Sequence, residues 1–567
     1  MNARLWPRGV YALLILLVLL ACKRGEKNQG PSGSPSAASG KEEAGVLTVS
    51  QEQQASWVRN FNPLLSDNSA RWPTRAGIYE PLLIYNTLKG DYVPWLATSH
   101  AWSEGNKKLT FKIRPEVKWS DGKPFSASDV VFTFELMKKH KALDLQGVFK
   151  FVDSVSAPDA GTVEFAFKEP YVPALFYIGH QPIVPEHQWK DIADPVTYAN
   201  ENPVGTGPFT EVVTFQNQVY ELGPNPHYWQ EGKPAVKKLR FPALPSNDQA
   251  NLAVINGDVD WAANFIPDVE KTFVARDPKH HGYWFPLIGG TIMVYLNTTL
   301  KPFDDVRVRK AISMAIDRDQ IVKVAMYNYT RPADGTGLSD AFKDWRNPEA
   351  AKADWVKLNV DGANALLDQA GLKKGAGGVR QVGGKPFEFE IIVPTGWSDW
   401  VRAAQIVGSS LKKVGINANL KTYDFSAWFE KVQKGDFTGA MGWTNQGPDP
   451  YFVYRAWMSS ETKLPIGQMA ASNWHRFSTP EADALFAEFV KTSDRAEQKR
   501  IMDQLQMEYV RTVPAIPLCP NPSWGEFNTK RIVGFPSKDN PYAKLSTYPA
   551  PEYLLVLTEL KPRHMAN

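Results

Sequence analysis

Cysteine is nearly absent from this chain of 567 residues, which contains only Cys22 and Cys519. So few cysteines cannot build a disulfide framework, and stability must therefore come from the size of the hydrophobic cores. The chain is too long for one core, and its length predicts two to four domains. Cys519 is expected to be a buried, inert thiol.

A large excess of charge is also lacking. The sequence has 64 basic and 60 acidic residues, a net charge of +4, which argues against a dedicated nucleic-acid surface. With 43% hydrophobic residues the composition is that of an ordinary soluble protein. Aromatic residues are plentiful, with 19 Trp, 20 Tyr and 29 Phe, so some tryptophans are expected to line a binding surface.

Local signatures of catalysis are missing as well. The nine histidines are scattered apart from the pair His280-His281, and the sequence contains no HExxH motif, Cys/His metal cluster, GxSxG elbow or phosphate-binding loop. A pair of catalytic carboxylates stays possible because Asp and Glu are abundant. The absence of these motifs favours a binding protein that is not an enzyme and needs no cofactor or metal.

The N-terminus carries the one signal in the sequence for the cellular location of the protein. Arg4 and Arg8 precede an apolar run at 10–21 that is too short to span a bilayer and is typical of a secretory signal. The run ends in Leu-Leu-Ala-Cys22, which resembles a bacterial lipobox. This implies a signal peptide at 1–21 and acylation of Cys22, with a plain signal peptide as the alternative. Residues 22–45, rich in Gly, Ser and charge, are expected to form a lipidated flexible tether.

The most informative stretch is 109–134. Leu109, Phe111 and Ile113 alternate with polar residues as in a strand with one buried face, a Trp-Ser-Asp-Gly turn follows at 119–122, and Ser126 with Asp129 forms a capping box for a helix. This order resembles the defining segment of the family 5 extracellular solute-binding proteins, the peptide-type receptors of ATP-driven importers.

Further segments support the same resemblance, at 205–209, 252–261 and 305–320. The second of these predicts a helix that stops at Gly257, followed by a short strand. In the last of these, apolar residues recur at helical spacing from Val308 to Ile316. Its basic residues are expected to lie on a solvated face: Arg307, Arg309, Lys310 and Arg318.

Residues 387–443 alternate between strand and helix patterns as βαβαβ, which predicts a parallel, doubly wound lobe with ligands at the carboxyl ends of its strands. Secondary structure is also predicted for two shorter segments. Apolar residues at 78–88 have helical spacing, and Tyr553–Leu557 is expected to be a final strand.

The resemblance covers roughly 46–562 and implies an α/β fold of the periplasmic-binding-protein type, with two hinged lobes (type II) and an extra small domain inserted in the first. The implied boundaries are 46–85, 201–288 and 525–567 for lobe I, 86–200 for the inserted domain and 289–524 for lobe II.

The loop at 442–451 is the expected ligand contact. In the family's peptide receptors, an Asp in such a loop accepts the ligand's α-ammonium before a later Asp-Pro pair. Here Asp449-Pro450 matches the later pair, whereas Asn445 and Gln446 occupy the place of the acid. A buried ammonium without a carboxylate is costly, and two amides suit hydroxyls as well as peptide groups.

Six tryptophans fall between 397 and 474. Trp397, Trp443 and Trp457 are the expected ligand contacts, together with Tyr451, whereas Trp400 and Trp428 have helical spacing and are expected in the core. Flat rings with polar edges could stack on sugars, and residues 534–542 resemble the branch of the family that takes β-linked oligosaccharides.

The resemblance implies a monomeric receptor in the periplasm or cell envelope, held to a membrane by its N-terminal lipid, that passes its ligand to an ABC permease and ATPase complex. An oligopeptide is the first expectation for the ligand and a β-linked oligosaccharide the second. Two other classes stay open: a secreted hydrolase, and a tethered sensor or chaperone-like binder with no importer.

Replacing Cys22 by Ser should release the protein from the membrane into the soluble fraction. The physical reason is that each buried CH₂ of an acyl chain contributes about 0.8 kcal/mol, so that several chains together anchor permanently. Cell fractionation followed by immunoblotting measures the result, with the wild-type protein as the control. A variant that stays bound to membranes as fully as the wild type would show that the anchor is assigned wrongly.

Overall fold

The computed structural model describes residues 45–65, 73–74 and 77–565. The predicted signal peptide, Cys22 and nearly all of the predicted tether lie outside these residues. Across the described ranges, no helix has both the length and the apolar character needed to cross a membrane.

The described residues up to 283 contribute a mixed sheet and an antiparallel sheet of four strands each. The strands of this part are β1 (Val46–Thr48), β2 (Leu83–Asn86), β3 (Asp91–Pro94), β4 (Ala97–Ser103), β5 (Lys108–Ile113), β6 (Val152–Asp159), β7 (Thr162–Phe167), β8 (Phe209–Gln216), β9 (Val219–Pro224), β10 (Lys238–Pro242), β11 (Trp261–Ala262) and β12 (His281–Tyr283). The helices are α1 (Ala127–Lys139), α2 (Ala174–Gly179), α3 (Glu186–Trp189), α4 (Asn247–Asn256) and α5 (Val269–Thr272). Strands β1-β10-β9-β8 form one sheet of the first lobe, and β4-β5-β7-β6 form the sheet of the inserted domain. A second sheet of the first lobe has three strands, because β11 and β12 both pair with a strand of the C-terminal segment at 526–528.

The second lobe is built on a five-stranded sheet. Its strands are β13 (Thr291–Leu296), β14 (Gln381–Val382), β15 (Lys385–Pro386), β16 (Glu388–Pro394), β17 (Asn417–Tyr423), β18 (Gly439–Trp443) and β19 (Ile516–Pro520). Its helices are α6 (Val306–Ala315), α7 (Arg318–Gln320), α8 (Pro348–Ala351), α9 (Val360–Gln369), α10 (Ser398–Lys412), α11 (Phe425–Lys434), α12 (Tyr451–Met458), α13 (Pro480–Phe489) and α14 (Arg495–Thr512). A π-helical turn at Ile321–Ala325 follows α7.

The order of strands in this sheet is β17-β16-β18-β13-β19. Strand β16 is parallel to β17 and to β18, which confirms the predicted βαβαβ unit. The sheet as a whole is mixed rather than parallel, because β13 runs antiparallel to both of its neighbours. The two lobes and the inserted domain confirm the predicted fold class, whereas the exact domain boundaries stay a prediction.

The C-terminal segment returns to the first lobe with β20 (Glu526–Asn528), β21 (Ile532–Val533), α15 (Leu554–Leu557) and β22 (Lys561–Pro562). The predicted strand at 553–557 is wrong, because α15 occupies this run. A short segment that is apolar at every position has no period that separates a strand from a buried helix.

The ends of helices were predicted correctly where capping residues mark them. Ser126 caps α1, and both hydrogen bonds of the predicted capping box are present. The predicted stop of α4 at Gly257 is also confirmed, with a φ of 84°. By contrast, the helical spacing at 78–88 is misleading, since this run contains no helix and its residues 83–86 form β2, which pairs with β3 as a hairpin.

Two arginines of the 305–320 segment correct the prediction of a solvated basic face. Arg309 and Arg318 are buried, although Arg307 is exposed as expected. The Arg318 guanidinium donates to the carbonyls of Pro517, Ser313 and Val356, and that of Arg309 to carbonyls of Val513, Phe303 and Thr512. These guanidiniums are desolvated, and backbone oxygens replace the lost water.

Cys519 confirms the expected buried thiol. It lies in β19 without measurable exposure, and burial raises the pKa of its thiol to about 12. At neutral pH the reactive thiolate is therefore scarcely populated.

Two chain segments join the lobes, and they run side by side as an antiparallel ribbon. The ribbon continues the pairing of β12 with β20 in the first lobe into the pairing of β13 with β19 in the second. Between these strands, Gly289 N donates to Asn521 O (3.0 Å), Asn521 N to Gly290 O (2.9 Å), and Ser523 N to Pro286 O (2.7 Å). The connection is thus a hydrogen-bonded unit of two strands.

Replacing Gly289 by Ala should destabilise this ribbon. A Cβ atom at Gly289 would lie 2.8 Å from the carbonyl oxygens of both Asn521 and Pro522, so the paired strands must separate locally. The expected loss is roughly 1–3 kcal/mol of unfolding free energy. Gly161→Ala is the control, since the nearest atom to its Cβ is 3.5 Å away, and its effect should stay within about 0.5 kcal/mol. Urea titration of both variants measures the difference, and equal stabilities would contradict this role of Gly289.

Candidate binding site

The carboxyl ends of the parallel strands meet at one edge of the second lobe. Trp397 follows β16, Asp424 follows β17 and caps α11, and the loop from Thr444 to Asp449 follows β18. The hydrogen bond from Thr395 N to Tyr423 O (2.7 Å) ties the first two ends together. This edge is where ligands of doubly wound sheets bind, as predicted.

Aromatic rings cover this edge in a continuous cluster. The Trp443 ring lies 5.3 Å from those of Trp428 and Trp474, and 6.1 Å from that of Trp397. Trp400, Trp428 and Trp474 are buried, which confirms the first two as core residues, whereas Trp397 and Trp443 are only partly buried. Trp397 and Trp443 are therefore the members whose rings reach solvent.

Trp457 and Tyr451 do not extend this surface. Trp457 is 1% exposed in the core, where its Nε1 donates to the Tyr295 hydroxyl (3.0 Å). Tyr451 is also 1% exposed, and its hydroxyl shares a hydrogen bond of 2.6 Å with that of Tyr171. In this structure both side chains contact protein, so the prediction that they face the ligand is not supported.

The loop after β18 contacts both lobes. Thr444 Oγ1 accepts from the backbone N–H of Thr291 (3.0 Å), at the start of β13. The Gln446 amide oxygen accepts from the Lys544 ammonium (2.9 Å), and the Pro448 carbonyl accepts from the Tyr85 hydroxyl (3.4 Å). Asn445, Gln446 and Asp449 are all partly buried here, so the predicted polar residues do lie together.

Asp449 is the only acidic residue of this loop. One of its carboxylate oxygens accepts from the backbone N–H of Tyr451 (2.9 Å). Burial raises the pKa of the Asp449 carboxyl to about 7, so that near neutral pH it exchanges between the acid and the carboxylate. Its charge also contributes to raising the pKa of Tyr85 and Tyr177, for which burial is the larger cause.

The inserted domain contacts the second lobe on the far side of the loop. The Phe176 and Tyr177 rings lie 4.8 and 5.2 Å from that of Phe452, and Val172 N donates to Val490 O (2.8 Å). A cavity of about 120 Å³ lies at this contact, lined by Tyr171, Tyr451 and residues 459–461, 483, 486–487 and 490. The lobes are therefore in a closed arrangement.

A second contact between lobes lies next to the ribbon. Asn247 N donates to Gly396 O (3.0 Å), and the Asn247 amide donates to the Asp399 carboxyl (3.2 Å). Burial raises the pKa of Asp399 to about 6. Sequence reasoning missed this pair, because the two residues are 152 positions apart and neither stands in a motif.

Lys544 is the other residue that sequence reasoning missed. Its side chain is only 4% exposed and pairs with Glu552, with Nζ 3.2 Å from the carboxylate. It lies two residues beyond the 534–542 segment, which resembles the oligosaccharide-binding branch of the family, and no local sequence pattern marks it. In the described part of the chain, no group of three or more His, Cys, Asp or Glu side chains is placed to hold a metal ion.

Comparisons with known proteins agree with the geometry. Residues 91–464 match the family model described as bacterial extracellular solute-binding proteins, family 5 middle. The oligopeptide-binding protein AppA of Bacillus subtilis is 27% identical over 525 residues, which cover 88% of this chain and 91% of that protein. The probable D,D-dipeptide-binding periplasmic protein DdpA of Escherichia coli is 24% identical over 472 residues, covering 79% and 84%.

A solved structure has a similar backbone throughout. The periplasmic oligopeptide-binding protein of an ABC transporter from Thermotoga maritima, determined with mannohexaose bound, superposes with a TM-score of 0.85 at 25% identity. The superposition covers 92% of this chain and 99% of that one.

Replacing Trp443 by Ala should weaken binding of a solute that the wild-type protein binds by about tenfold or more. A covered ring removes up to roughly 150–250 Å² from water, and even partial burial at about 25 cal/mol per Å² is worth more than the 1.4 kcal/mol of a tenfold change. Calorimetry with that solute measures the affinity, and thermal melting measures stability.

Trp457→Ala is the matched control for this variant. Because Trp457 is a core residue, its loss should lower stability by about 3–5 kcal/mol. If Trp443→Ala lowers stability as much as Trp457→Ala and leaves the affinity unchanged, Trp443 is a packing residue and not a ligand contact.

Proposed function

Because the chain belongs to the bacterial extracellular solute-binding proteins of family 5, we propose that it captures an extended oligomeric solute between its lobes and delivers it to the permease of an ABC importer. The observation that carries this proposal is the loop after β18, which reaches the first lobe through both Gln446 and Pro448. A solute bound at this loop would contact both lobes and stabilise their closure. Hinge closure around a ligand is the known motion of periplasmic binding proteins.

An oligopeptide is the first candidate for the solute. Relatives along most of the chain are named as oligopeptide- or dipeptide-binding proteins. The expected contacts are Trp397, Trp443, Asn445, Gln446 and Asp449.

An oligosaccharide is the second candidate, and two observations favour it. The loop presents amides at Asn445 and Gln446, and two partly exposed indole rings lie beside it at Trp397 and Trp443. Apolar ring faces together with neutral hydrogen-bonding groups suit a sugar chain. The similar structure from Thermotoga maritima was determined with mannohexaose.

The proposed receptor function also implies where the protein is located and which partners it has. We propose that the protein is a monomer held to a membrane by lipid at Cys22, with residues 22–45 as the tether, and that the domains have the boundaries expected from the sequence. Its partners would be the solute and the permease and ATPase complex. A receptor of this kind binds without chemical change, which distinguishes it from a secreted hydrolase.

Incubation of the purified protein with pools of short peptides and of oligosaccharides should leave every component intact. A bound solute should raise the melting temperature as its concentration rises, since any ligand specific for the native state stabilises it by mass action. Mass spectrometry of the pools and native mass spectrometry of the protein measure both results. Products that form with the active protein but not with a heat-inactivated control would indicate an enzyme, and the absence of any bound solute would contradict the receptor function.

A further inference from the structure

A buried ammonium group lies beside the loop that follows β18. Lys544 Nζ is 2.9 Å from the Gln446 amide oxygen and 3.2 Å from a carboxylate oxygen of Glu552. The side chains of Lys544 and Glu552 are 4% and 6% exposed. A buried ion pair at the boundary between two lobes is costly unless its geometry is well satisfied.

The chain on both sides of Lys544 is fixed by hydrogen bonds. The carbonyl of Tyr542 accepts from the Asn86 amide (2.7 Å), and that of Leu545 accepts from the Trp261 indole (2.5 Å). Ala543 and Leu545 are fully buried. The direction of the Lys544 side chain is therefore set by the first lobe and does not depend on the loop that it contacts.

The negative partner of this pair is held by further hydrogen bonds to the first half of the chain. The two oxygens of Glu552 accept from Thr87, one from its backbone N–H (3.0 Å) and the other from its hydroxyl (2.8 Å). The nearby His180 adds no positive charge, because burial, helped by Lys544, lowers the pKa of its imidazole to about 3. At Gln446 the first lobe thus presents the ammonium end of the Lys544–Glu552 ion pair.

The place of Gln446 is further restricted by the ribbon. A Cβ atom at Gly290 would lie 2.9 Å from Thr444 Oγ1 and 3.6 Å from the Gln446 amide nitrogen, so the loop packs directly on the ribbon. With the amide oxygen bonded to Lys544, its NH₂ group is the part of Gln446 left to meet a ligand. Both Lys544 and this NH₂ group are donors, and donors require acceptor oxygens.

We propose that Lys544 determines which ligands bind beside Gln446: it admits an uncharged end rich in acceptor oxygens and rejects an ammonium. This inference rests on the proposed receptor function and deepens it. The acceptor oxygens can be sugar hydroxyls or the carbonyl of a capped peptide. A ligand ammonium beside Gln446 would approach the ammonium end of an ion pair whose two side chains are almost fully buried, where repulsion is weakly screened.

Two matched pairs of probes test this inference by calorimetry at pH 6. The peptide pair is N-acetyl-tetraalanine amide and tetraalanine amide, and the glycan pair is the hexamer of N-acetylglucosamine and its deacetylated form. In at least one pair, the wild-type protein should bind the uncharged member tenfold or more tighter than the cationic member. Equal affinities within the pairs, tighter binding of a cationic member, or no binding of any of the four probes overturns the inference.

A double substitution, Lys544→Met with Glu552→Gln, removes both charges and avoids leaving a carboxylate buried alone. It should reduce the discrimination to less than threefold, while thermal melting confirms that the variant is folded. Lys561→Met, at an exposed lysine of the same C-terminal segment, is the control and should keep the wild-type ratio. Discrimination that persists in the double variant assigns Lys544 to packing alone and overturns the inference.

A second set of variants tests for a gain of binding of the cationic probe, because it introduces an acid at position 446. Gln446→Glu combined with Lys544→Met and Glu552→Gln places an acid at the loop without a cation beside it and leaves no other carboxylate buried alone. This variant should bind the cationic member of the pair tenfold or more tighter than wild type does. Gln446→Glu alone should not, because Lys544 would neutralise the new carboxylate. If both variants bind the cationic probe alike, Lys544 does not set the preference. A protein that binds solutes from the pools without discriminating within the pairs keeps the proposed function and loses only this inference.

Discussion

The paired ribbon between the lobes is the constraint on which the rest of the structure depends. Two crossovers bonded to each other by Gly289, Gly290, Asn521 and Ser523 join a three-stranded sheet of the first lobe to the five-stranded sheet of the second. A single crossover would leave the lobes free to twist, whereas two paired strands resist twisting and allow bending. The loop after β18 is attached to this ribbon through Thr291 and Thr444, so the candidate binding residues of the loop keep their place relative to the ribbon.

Buried positive charge is satisfied in two different ways in this molecule. In the second lobe, Arg309 and Arg318 are surrounded by backbone carbonyls, which satisfy their donors without an opposing charge. Between the lobes, Lys544 is instead paired with Glu552 and shared with Gln446. The first arrangement stabilises packing inside one lobe. In the second, the bond from Lys544 to Gln446 forms only when the two lobes are in contact.

The sequence predicted those parts of the fold that local patterns specify. The capping box at Ser126, the stop at Gly257 and the βαβαβ unit of the second lobe are set by residues within a few positions of each other. The errors have a common cause, which is that periodicity does not report what a segment packs against. The run at 553–557 is apolar at every position, and the arginines of 305–320 gave no sign of the carbonyls around them. At the candidate site, Trp443, Gln446 and Asp449 could be found from one loop, but Lys544 lies 98 residues away from its partner Gln446 and required the folded chain.

Cys519 gives the described part of the protein a practical property. It is the one thiol between residues 45 and 565, and it is fully enclosed in β19 with its pKa raised to about 12. Maleimide and similar reagents attack the thiolate of accessible cysteines and should leave it unmodified. Once Cys22 is removed, a cysteine introduced on the surface of each lobe would be a selectively reactive position. A pair of fluorophores attached there could report the separation of the lobes in solution, and the native core would stay unaltered.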